Sequence, residues 1–406
     1  MSYGLLGGTR VIEASSFVAA PTASLYLAQM GAEVIRVDQI GGGPDYRRWP
    51  LAANGASLYW EGLNKGKKSV ALDLSRPEGR ELLVALATAP GDEAGLFLTN
   101  FPAGGFLSHE RLAARRTDLI TVRVMGRADG GPALDYTVNC AIGIPQITGP
   151  ATLGDAPVNH VLPAWDLLTG AYAAFAMLAA RQHRVTTHRG GEVRVPLADV
   201  GIATIANLGQ LAEVVATGEN RKRLGNDVYG AFGRDFVTAD GMRLMIMAIT
   251  PRQWAGLITA LEIGEMIAAV EAARNVSFAH DEGIRFEHRD TLFSLVADAI
   301  AQRTAGDLAA VLDAHGCCWG PYRTMLDASA DPTLVTENPI FAEVSQPSGV
   351  DYPIPGAMAT LPDETRRPPD GAPRLGQHSD AVLAEVLGLG SGEIGALHDK
   401  GVVAGV

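Results

Sequence analysis

A single aspartate precedes the longest nearly pure apolar run of the chain. Asp166 follows Pro163 closely and leads into the apolar run 171–180, and the residues after it favour or tolerate helix. A carboxylate at a helix start accepts hydrogen bonds from free backbone N–H groups and lies at the positive end of the helix dipole. Two interpretations follow: Asp166 is an N-cap, or it is a carboxylate nucleophile aimed out of the helix.

The charge of the chain limits the classes of partner. A formal net charge of −12 over 406 residues argues against nucleic acid, whose binding depends on neutralising phosphates. Basic residues are nonetheless clustered at 47–48, 65–68 and 221–223. Such a patch on an acidic protein suits a small phosphorylated ligand, and a solvated loop is the alternative for each cluster.

The sequence does not predict export, membrane insertion or a metal centre. The N-terminal residues lack a basic segment followed by an apolar core, and the run 171–180 is about half the length of a membrane span. Cys140, Cys317 and Cys318 are too few for a disulfide framework and lack the spacing of a metal site. We therefore expect a cytoplasmic protein without a metal ion.

Strands alternate with helices over the first half of the chain. Five stretches have strand character, with helical patterns between several of them: 10–13, 34–38, 69–74, 96–100 and 119–124. This alternation predicts a Rossmann-like, doubly wound α/β domain with a parallel sheet. The turn at 14–17 lacks the glycines of a dinucleotide fingerprint, which argues against a nucleotide-dependent oxidoreductase.

The pattern changes in the second half. After a predicted long helix at 199–216, the charged, glycine-flanked segment 218–226 resembles a linker. A smaller α+β domain is expected beyond it, with a hairpin and three helices: 232–238, 243–249, 253–261, 288–303 and 306–315. A Pro-rich, loop-like segment and a final helix follow, at 331–374 and 380–387. The predicted divisions are 1–217 for the large domain, 218–330 for the linker and small domain, and 331–406 for the return to the large domain.

Several stretches, taken in their order along the chain, resemble the family III CoA transferases. They run nearly from end to end: 6–13, 27–38, 64–74, 99–102 and 373–380. The resemblance implies a large domain built from both chain ends with a small domain inserted, and a homodimer in which two rings of chain interlock. It also implies that Asp166, which matches the aspartate that opens a long helix in this family, is the nucleophile.

The resemblance further implies a set of CoA-binding residues, namely Arg36, Lys67, Asn100, Phe101, Val18 and Ala19. Members of the family often carry an arginine a few positions after the asparagine that matches Asn100, where it meets CoA phosphates. This chain has no arginine in the corresponding region, 104–108. Recognition of the phosphates is then expected to depend more on Arg36 and Lys67, with Arg47 or Arg48 as a further candidate.

Other stretches resemble one branch of the family, in which CoA moves between the two carboxyl groups of one methyl-branched unsaturated dicarboxylic acid. They are 17–21, 62–67, 135–139, 159–166 and 229–236. On the family mechanism Asp166 attacks the thioester to give an anhydride, and CoA thiolate then converts it into an aspartyl thioester. CoA enters as part of the acyl-CoA substrate, so neither a cofactor nor a metal is implied.

Four residues are candidates for contacts with substrate or oxyanion. Asp135 aligns with an acidic residue near the family active site, and either positions the substrate or caps the segment after it. His160 could contact a dicarboxylate or serve a structural role. Tyr229 and Gly230 belong to a loop that supplies oxyanion donors or is a plain turn, and the helix start at 167–168 is a second candidate for such donors.

Three competing functions remain open. An intermolecular CoA transferase acting on another dicarboxylic acid would use the same Asp166. A related branch of the family racemises 2-methylacyl-CoA and typically has a histidine just before the residue that matches Asp135, where this chain has Leu134. A non-catalytic acyl-CoA binding module would have no need of the Asp166 carboxylate.

Overall fold

The computed structural model describes residues 3–405. The chain forms two compact units, of which the first comprises Met1–Ile142, His160–Ala216 and Asp331–Val406. The second comprises Gly143–Asn159 and Thr217–Ala330. The sequence analysis did not separate the short segment Gly143–Asn159 from the large domain, because it has no change of composition at its ends.

The described residues form twelve strands in three sheets. In chain order they are β1 (Arg10–Ala14), β2 (Glu33–Gln39), β3 (Lys68–Leu72), β4 (Leu96–Thr99), β5 (Ile120–Met125), β6 (Gly191–Pro196), β7 (Phe232–Val237), β8 (Arg243–Ala248), β9 (Cys318–Pro321), β10 (Phe341–Ser345), β11 (Asp351–Pro355) and β12 (Val403–Ala404).

The α-helices of the described part number seventeen. They are α1 (Ala19–Gln29), α2 (Leu58–Asn64), α3 (Pro77–Ala87), α4 (His109–Ala113), α5 (Asp135–Ala141), α6 (Ile144–Ile147), α7 (Ala164–Thr187), α8 (Leu197–Asn207), α9 (Gln210–Thr217), α10 (Pro251–Leu261), α11 (Gly264–Arg274), α12 (Glu282–Glu287), α13 (Arg289–Ile300), α14 (Ala305–Ala314), α15 (Met325–Ser329), α16 (Ser379–Leu387) and α17 (Ser391–Asp399).

A seven-stranded sheet runs through the first unit, in the order β12-β3-β2-β1-β4-β5-β6. All its strand pairs are parallel except that of β12 with β3. The order reverses between β1 and β4, and ligands of such sheets bind beyond the carboxyl ends of the strands at this point. The predicted doubly wound α/β fold is confirmed.

Each face of this sheet carries its own apolar core because successive strand residues point to opposite faces. On β1, Val11 packs in the cluster that contains residues of α1 and α7, whereas Ile12 packs in the cluster that contains residues of α3, α16 and α17. Both side chains are buried, with exposed fractions of 0% and 2%. The helices that cover the two faces therefore come from both ends of the chain.

Helices α1 and α7 approach each other closely at Gly170. A Cβ atom added there would lie 2.6 Å from the carbonyl oxygen of Ala19 and 2.8 Å from Cβ of Thr22. Only a residue without a side chain permits this approach. The second turn of α7 is thereby fixed against the start of α1.

The second unit contains the predicted hairpin, since β7 pairs antiparallel with β8. Phe232 lies at the centre of its core, with ring centroids 5.1 Å from Trp254 and 5.2 Å from Phe293. β9 adds a third strand beside β8. The expected α+β character of this unit is confirmed.

The single helix predicted over 199–216 is wrong, because the segment forms α8 and α9 with a 68° bend between them. Gly209 lies at the break with φ +77°, which a continuing right-handed helix does not allow. No helix within 3–405 is by itself long and apolar enough to cross a bilayer, and this bent pair reaches the required length and composition only in combination.

The C-terminal region also departs from the prediction. A hairpin of β10 and β11 forms within the Pro-rich segment, and the final helix is α17 rather than the helix ending at Leu387. Gly388 ends α16 in the left-handed conformation, at φ +70°. The chain then reverses and begins α17, whose Ile394 joins the core on one face of the sheet.

Candidate active site

Asp166 lies in the first turn of α7, as its third residue. The helix begins after Pro163, which has no side-chain cap to offer. No side-chain hydrogen bond is made by the Asp166 carboxylate within residues 3–405. The N-cap interpretation of Asp166 is therefore wrong, and its carboxylate is left available for other chemistry.

The cap of α7 comes from Asp135, the first residue of α5. Its Oδ2 accepts hydrogen bonds from the backbone N–H groups of Trp165, at 2.7 Å, and Asp166, at 3.0 Å. A negative charge at this position is favoured by the positive end of the helix dipole. Because Asp135 is thirty-one positions before Asp166, local sequence patterns could not have revealed this cap.

His160 supports the capping carboxylate. Its Nε2 lies 2.6 Å from Oδ1 of Asp135, and its ring makes an edge contact with Tyr136, with centroids 5.5 Å apart. Both oxygens of Asp135 are thus engaged by protein groups, and its side chain is 3% exposed. A direct contact of Asp135 or His160 with substrate stays a prediction, and the geometry favours a positioning role.

The surroundings of Asp166 bring the pKa of its carboxyl group closer to neutral pH. Burial and then the charge of Asp135 raise the pKa of Asp166 to about 6, although the Arg48 guanidinium opposes this change. At pH 7 such a group is ionised to roughly nine tenths. The carboxylate is consequently charged but poorly solvated, which suits a nucleophile.

The guanidinium of Arg48 lies between two aromatic rings. Its Cζ is 5.5 Å from the ring centroid of Phe17 and 5.4 Å from that of Tyr59. Burial raises the pKa of Tyr59 to about 12, and the neighbouring Arg48 and Asp166 also act on it. The Tyr59 hydroxyl is therefore protonated at neutral pH, and it is buried without a partner in the described residues.

Sequence reasoning missed the role of this pair. Arg48 was expected only as an alternative contact for CoA phosphates within a basic cluster, and Tyr59 was not singled out. An aromatic residue shortly after a pair of arginines is the signal that could have pointed to them, but it is too weak to do so alone.

Phe17 has an uncommon backbone conformation at the point where the strand order reverses. Its φ is +68°, which a residue with a bulky side chain rarely adopts. The amide of Asn100 holds the preceding residue, Ser16, by two hydrogen bonds of 3.2 and 2.8 Å, and Oδ2 of Asp45 accepts one from the Phe17 N–H at 3.0 Å. Several contacts thus maintain the strain, and they direct the Phe17 ring towards Arg48.

Arg36 and Lys67, which were expected to bind CoA phosphates, are buried and paired with carboxylates. Nζ of Lys67 lies 2.9 Å from Glu13, and Nη2 of Arg36 lies 2.8 Å from Asp38 and 3.1 Å from Asp45. The exposed fractions of Arg36 and Lys67 are 1% and 3%.

Within this network both cations are already paired, and a phosphate contact by either of them stays a prediction. A phosphate would have to displace carboxylates that are themselves buried, and separating such a pair costs about 3–5 kcal/mol. Burial lowers the pKa of Lys67 to about 8, while Glu13 raises it. We therefore assign Arg36 and Lys67 to holding the carboxyl ends of β1 and β2 and the segment before β3 in place.

The other predicted CoA-binding residues lie where the sheet changes strand order. Val18 and Ala19 are buried at the start of α1, and Phe101 follows β4. The N–H of Phe101 donates to Oγ1 of Thr99, and its carbonyl accepts a hydrogen bond from Arg123 at 2.7 Å. CoA contacts of these residues and of Asn100 stay predictions.

The helix start is not a source of free oxyanion donors. The N–H of Ala164 donates to the Leu162 carbonyl at 2.8 Å, that of Leu167 donates to Pro163 at 3.0 Å, and Asp135 takes the two between them. The N–H of Leu168 lies within regular helix, where the carbonyl four residues earlier is the acceptor. The expectation for 167–168 is therefore wrong.

Tyr229 and Gly230 lie in the second unit. Gly230 has φ +77°, and the ring of Tyr229 stacks on Arg221 with Cζ 3.8 Å from its centroid. A contribution of this loop to oxyanion binding stays a prediction. Within 3–405 no group of three or more His, Cys, Asp or Glu side chains is arranged to hold a metal ion, and Cys140, Cys317 and Cys318 form no disulfide.

A partly buried carboxylate without a side-chain partner at a helix start is suited to covalent acyl transfer, and comparisons with known proteins show a family of CoA transferases. The model of CoA-transferase family III matches residues 6–379, and the chain belongs to this family. It is 48% identical to 2-methylfumaryl-CoA isomerase of Chloroflexus aurantiacus, with 99% of this chain and 98% of that protein covered.

More distant relatives share the fold and vary in their named substrates. The succinyl-CoA:glutarate CoA-transferase of Homo sapiens is 26% identical, over 98% of this chain and 90% of that protein. The crystal structure of a CAIB/BAIF family protein from Brucella suis superposes with a TM-score of 0.75 at 28% identity, covering 95% of this chain and all of the other.

Proposed function

We propose that this protein moves CoA between the two carboxyl groups of 2-methylfumarate (mesaconate), and so converts 2-methylfumaryl-CoA into 3-methylfumaryl-CoA. The observation that carries the proposal is the partly buried Asp166 carboxylate, whose own helix cap is supplied by Asp135. The similarity to an isomerase of this name over the whole chain supports the choice of substrate.

The reaction proceeds by exchange at carbonyl carbons. An oxygen of Asp166 attacks the C1 thioester carbonyl, and CoA leaves as a thiolate while a mixed anhydride forms. The thiolate then attacks the aspartyl carbonyl, and the C1 carboxylate of mesaconate leaves. An Asp166–CoA thioester and bound mesaconate result.

The second half repeats these steps on the other carboxyl group. The C4 carboxylate attacks the aspartyl thioester and expels the thiolate, which then attacks the C4 carbonyl of the new anhydride. Asp166 leaves as a free carboxylate, so no proton, electron or further group is required overall. A retained acid can react at an effective concentration on the order of 10⁵ M or more.

We propose that no metal or redox cofactor takes part, since carboxylate and thiolate supply every step. We also propose a cytoplasmic homodimer. Its contact surface would include exposed apolar side chains of α7, α9 and the break between α8 and α9, among them Phe175, Val215 and Leu208, which are 63%, 77% and 70% exposed. Light scattering coupled to gel filtration measures the mass, and a monomer would contradict this part.

The main experiment incubates the protein with 2-methylfumaryl-CoA in the presence of isotopically labelled free mesaconate. We expect 3-methylfumaryl-CoA as the product, measured by liquid chromatography and mass spectrometry, with little label in either ester. Heavy labelling would instead support an intermolecular CoA transferase. Recovery of the unchanged ester would exclude the proposed substrate.

A further inference from the structure

Arg48 carries a positive charge that no carboxylate of the described residues neutralises. Within 3–405 the guanidinium has no acidic side chain at ion-pair distance; its partners are the rings of Phe17 and Tyr59. Arg48 is an exposed residue in the loop after β2, whereas Arg36, on β2, is enclosed by three carboxylates. The two arginines therefore differ in what they can still bind.

The rings of Phe17 and Tyr59 restrict the Arg48 guanidinium in a way that favours binding of a planar anion. Stacking against ring faces restricts an arginine side chain and leaves its edge, with the N–H donors, free to bind. A carboxylate fits this edge with two parallel hydrogen bonds. The Phe17 ring is itself held, since Asp45 accepts a hydrogen bond from the Phe17 N–H and Asn100 anchors the residue before it.

Arg48 is also linked to the start of α7, because the Phe17 ring that it contacts lies two residues before Ala19, whose carbonyl packs against Gly170. Its charge acts on Asp166 and on Tyr59, and the charge of Asp166 acts in turn on Tyr59. The nucleophile, the guanidinium and the Tyr59 hydroxyl thus share one region of the first unit. A small dicarboxylic acid that reacts at Asp166 brings a second carboxylate into the same region.

We propose that Arg48 binds whichever carboxylate of the dicarboxylic acid is not reacting, and that it retains the acid while CoA is attached to Asp166. This inference rests on the proposed function. When the C1 carbonyl reacts, Arg48 holds the C4 carboxylate. Once mesaconate is free, Arg48 binds the C1 carboxylate, so that C4 is turned towards the aspartyl thioester.

The test compares Arg48→Met and Arg48→Lys with the unaltered protein at pH 8, where Asp166 is ionised in all three. For Arg48→Met we expect the isomerisation rate to fall roughly 100-fold or more, the scale at which one partner of a close charge pair is lost. The fraction of ester that carries label from free mesaconate should rise, because the acid escapes before its second attack. Arg48→Lys should recover part of the rate and little of the retention, since lysine binds as a point charge.

A monocarboxylic thioester separates this role from binding of CoA or activation of Asp166. With crotonyl-CoA, which has no second carboxylate, the Asp166–CoA adduct detected by mass spectrometry should form equally fast in the unaltered protein and in Arg48→Met. Arg189→Met removes one positive charge from an exposed position elsewhere and should match the unaltered protein in every assay.

The possible failures can be told apart. An unaltered protein that does not isomerise 2-methylfumaryl-CoA contradicts the proposed function itself. If it isomerises and Arg48→Met does so equally well without exchange, only the role of Arg48 is refuted. An equal loss with crotonyl-CoA would show that Arg48 serves the CoA portion or the nucleophile and would also overturn the inference.

Discussion

Asp166 combines two properties that oppose each other. On the proposed mechanism it must be ionised to attack a thioester, yet burial and the charge of Asp135 favour its protonated form. The ionised form of Asp166 is therefore unfavourable for the stability of the folded protein. On the proposed mechanism, the partly buried Asp166 carboxylate has therefore lost part of its hydration before the substrate arrives.

The pH dependence of the reaction should report this carboxylate. Because the pKa of Asp166 is raised to about 6, the fraction that is ionised falls as the pH falls through this value. We expect kcat/KM to decrease about tenfold per pH unit well below pH 6 and to be level from pH 7 to 8. A profile that stays level down to pH 4.5 would contradict the assignment.

The same shift predicts a gain in stability on replacing Asp166 with asparagine. A folded pKa above the unfolded value of 3.8 means that the wild-type protein loses stability as the pH rises from about 4 to 6. Asp166→Asn cannot ionise, and at pH 7 it should be more stable by up to about 3 kcal/mol, with solvent screening reducing this figure.

Thermal unfolding of Asp166→Asn and the wild-type protein at pH 7 and pH 4 provides the measurement. The gap in Tm should be largest at pH 7 and should shrink at pH 4, where the aspartate is itself largely protonated in the fold. The variant should bind acyl-CoA and show no turnover. Equal Tm values of Asp166→Asn and the wild-type protein at pH 7 would contradict the raised pKa of Asp166.

At the scale of elements, helix α7 depends on two contacts that local sequence does not reveal. Asp135 on α5 caps its first turn, and Gly170 allows α1 to approach. The sequence predicted the helix, its apolar character and its approximate start, since these follow from local composition. It misassigned the cap, because residues distant in sequence meet only after folding.

Asp135→Asn tests the cap and the charge separately. An asparagine oxygen can still accept hydrogen bonds from Trp165 and Asp166, so the helix start should be maintained. The negative charge disappears, and the pKa of Asp166 should fall, which moves the acidic limb of the pH profile to lower pH. Asp135→Ala should in addition lose about 1–2 kcal/mol of stability in chemical denaturation. An unchanged acidic limb in Asp135→Asn would mean that the two carboxylates are not coupled.

Gly170→Ala tests the packing of α1 on α7. The new methyl group would meet the Ala19 carbonyl and Thr22, and the overpacking should cost about 1–3 kcal/mol in denaturant unfolding. Displacement of α1 should also lower the turnover, because the segment before this helix holds Phe17. The matched control is Gly395→Ala in α17, where nothing lies within 4 Å of the added atom. This control should gain up to about 1 kcal/mol from helix propensity.

At the scale of the whole molecule, the alternation of strands and helices was sufficient to predict the doubly wound sheet. The change of pattern after residue 226 predicted an α+β unit, and the family resemblance implied that this unit is inserted. The pairing of Arg36 and Lys67 with carboxylates could not be predicted at this level, and phosphate binding by these two residues stays a prediction. Charged residues at the ends of strands were taken to face a ligand, whereas the three-dimensional arrangement surrounds them with Glu13, Asp38 and Asp45. The positions of those carboxylates depend on the strand order, which single stretches of sequence do not contain.

The two units should unfold as separate cooperative blocks. The apolar core of the second unit, around Phe232 and Trp254, consists only of its own residues. Hydrogen exchange followed by mass spectrometry in low denaturant should show protection of β7 and α10 lost with a midpoint different from that of β1 and β4. A single coincident loss across both units would contradict this expectation.

The pairing of β12 with β3 bears on the order of events during synthesis. Val403 and Ala404 complete one edge of a sheet whose other strands lie in the first half of the chain, while the apolar core of the second unit is made of residues 232–319. On the ribosome, the second unit can therefore fold while the first still lacks α16, α17 and its outer strand. Until those residues emerge, β3 presents an unpaired edge, and protection of the nascent chain is needed most at this late stage.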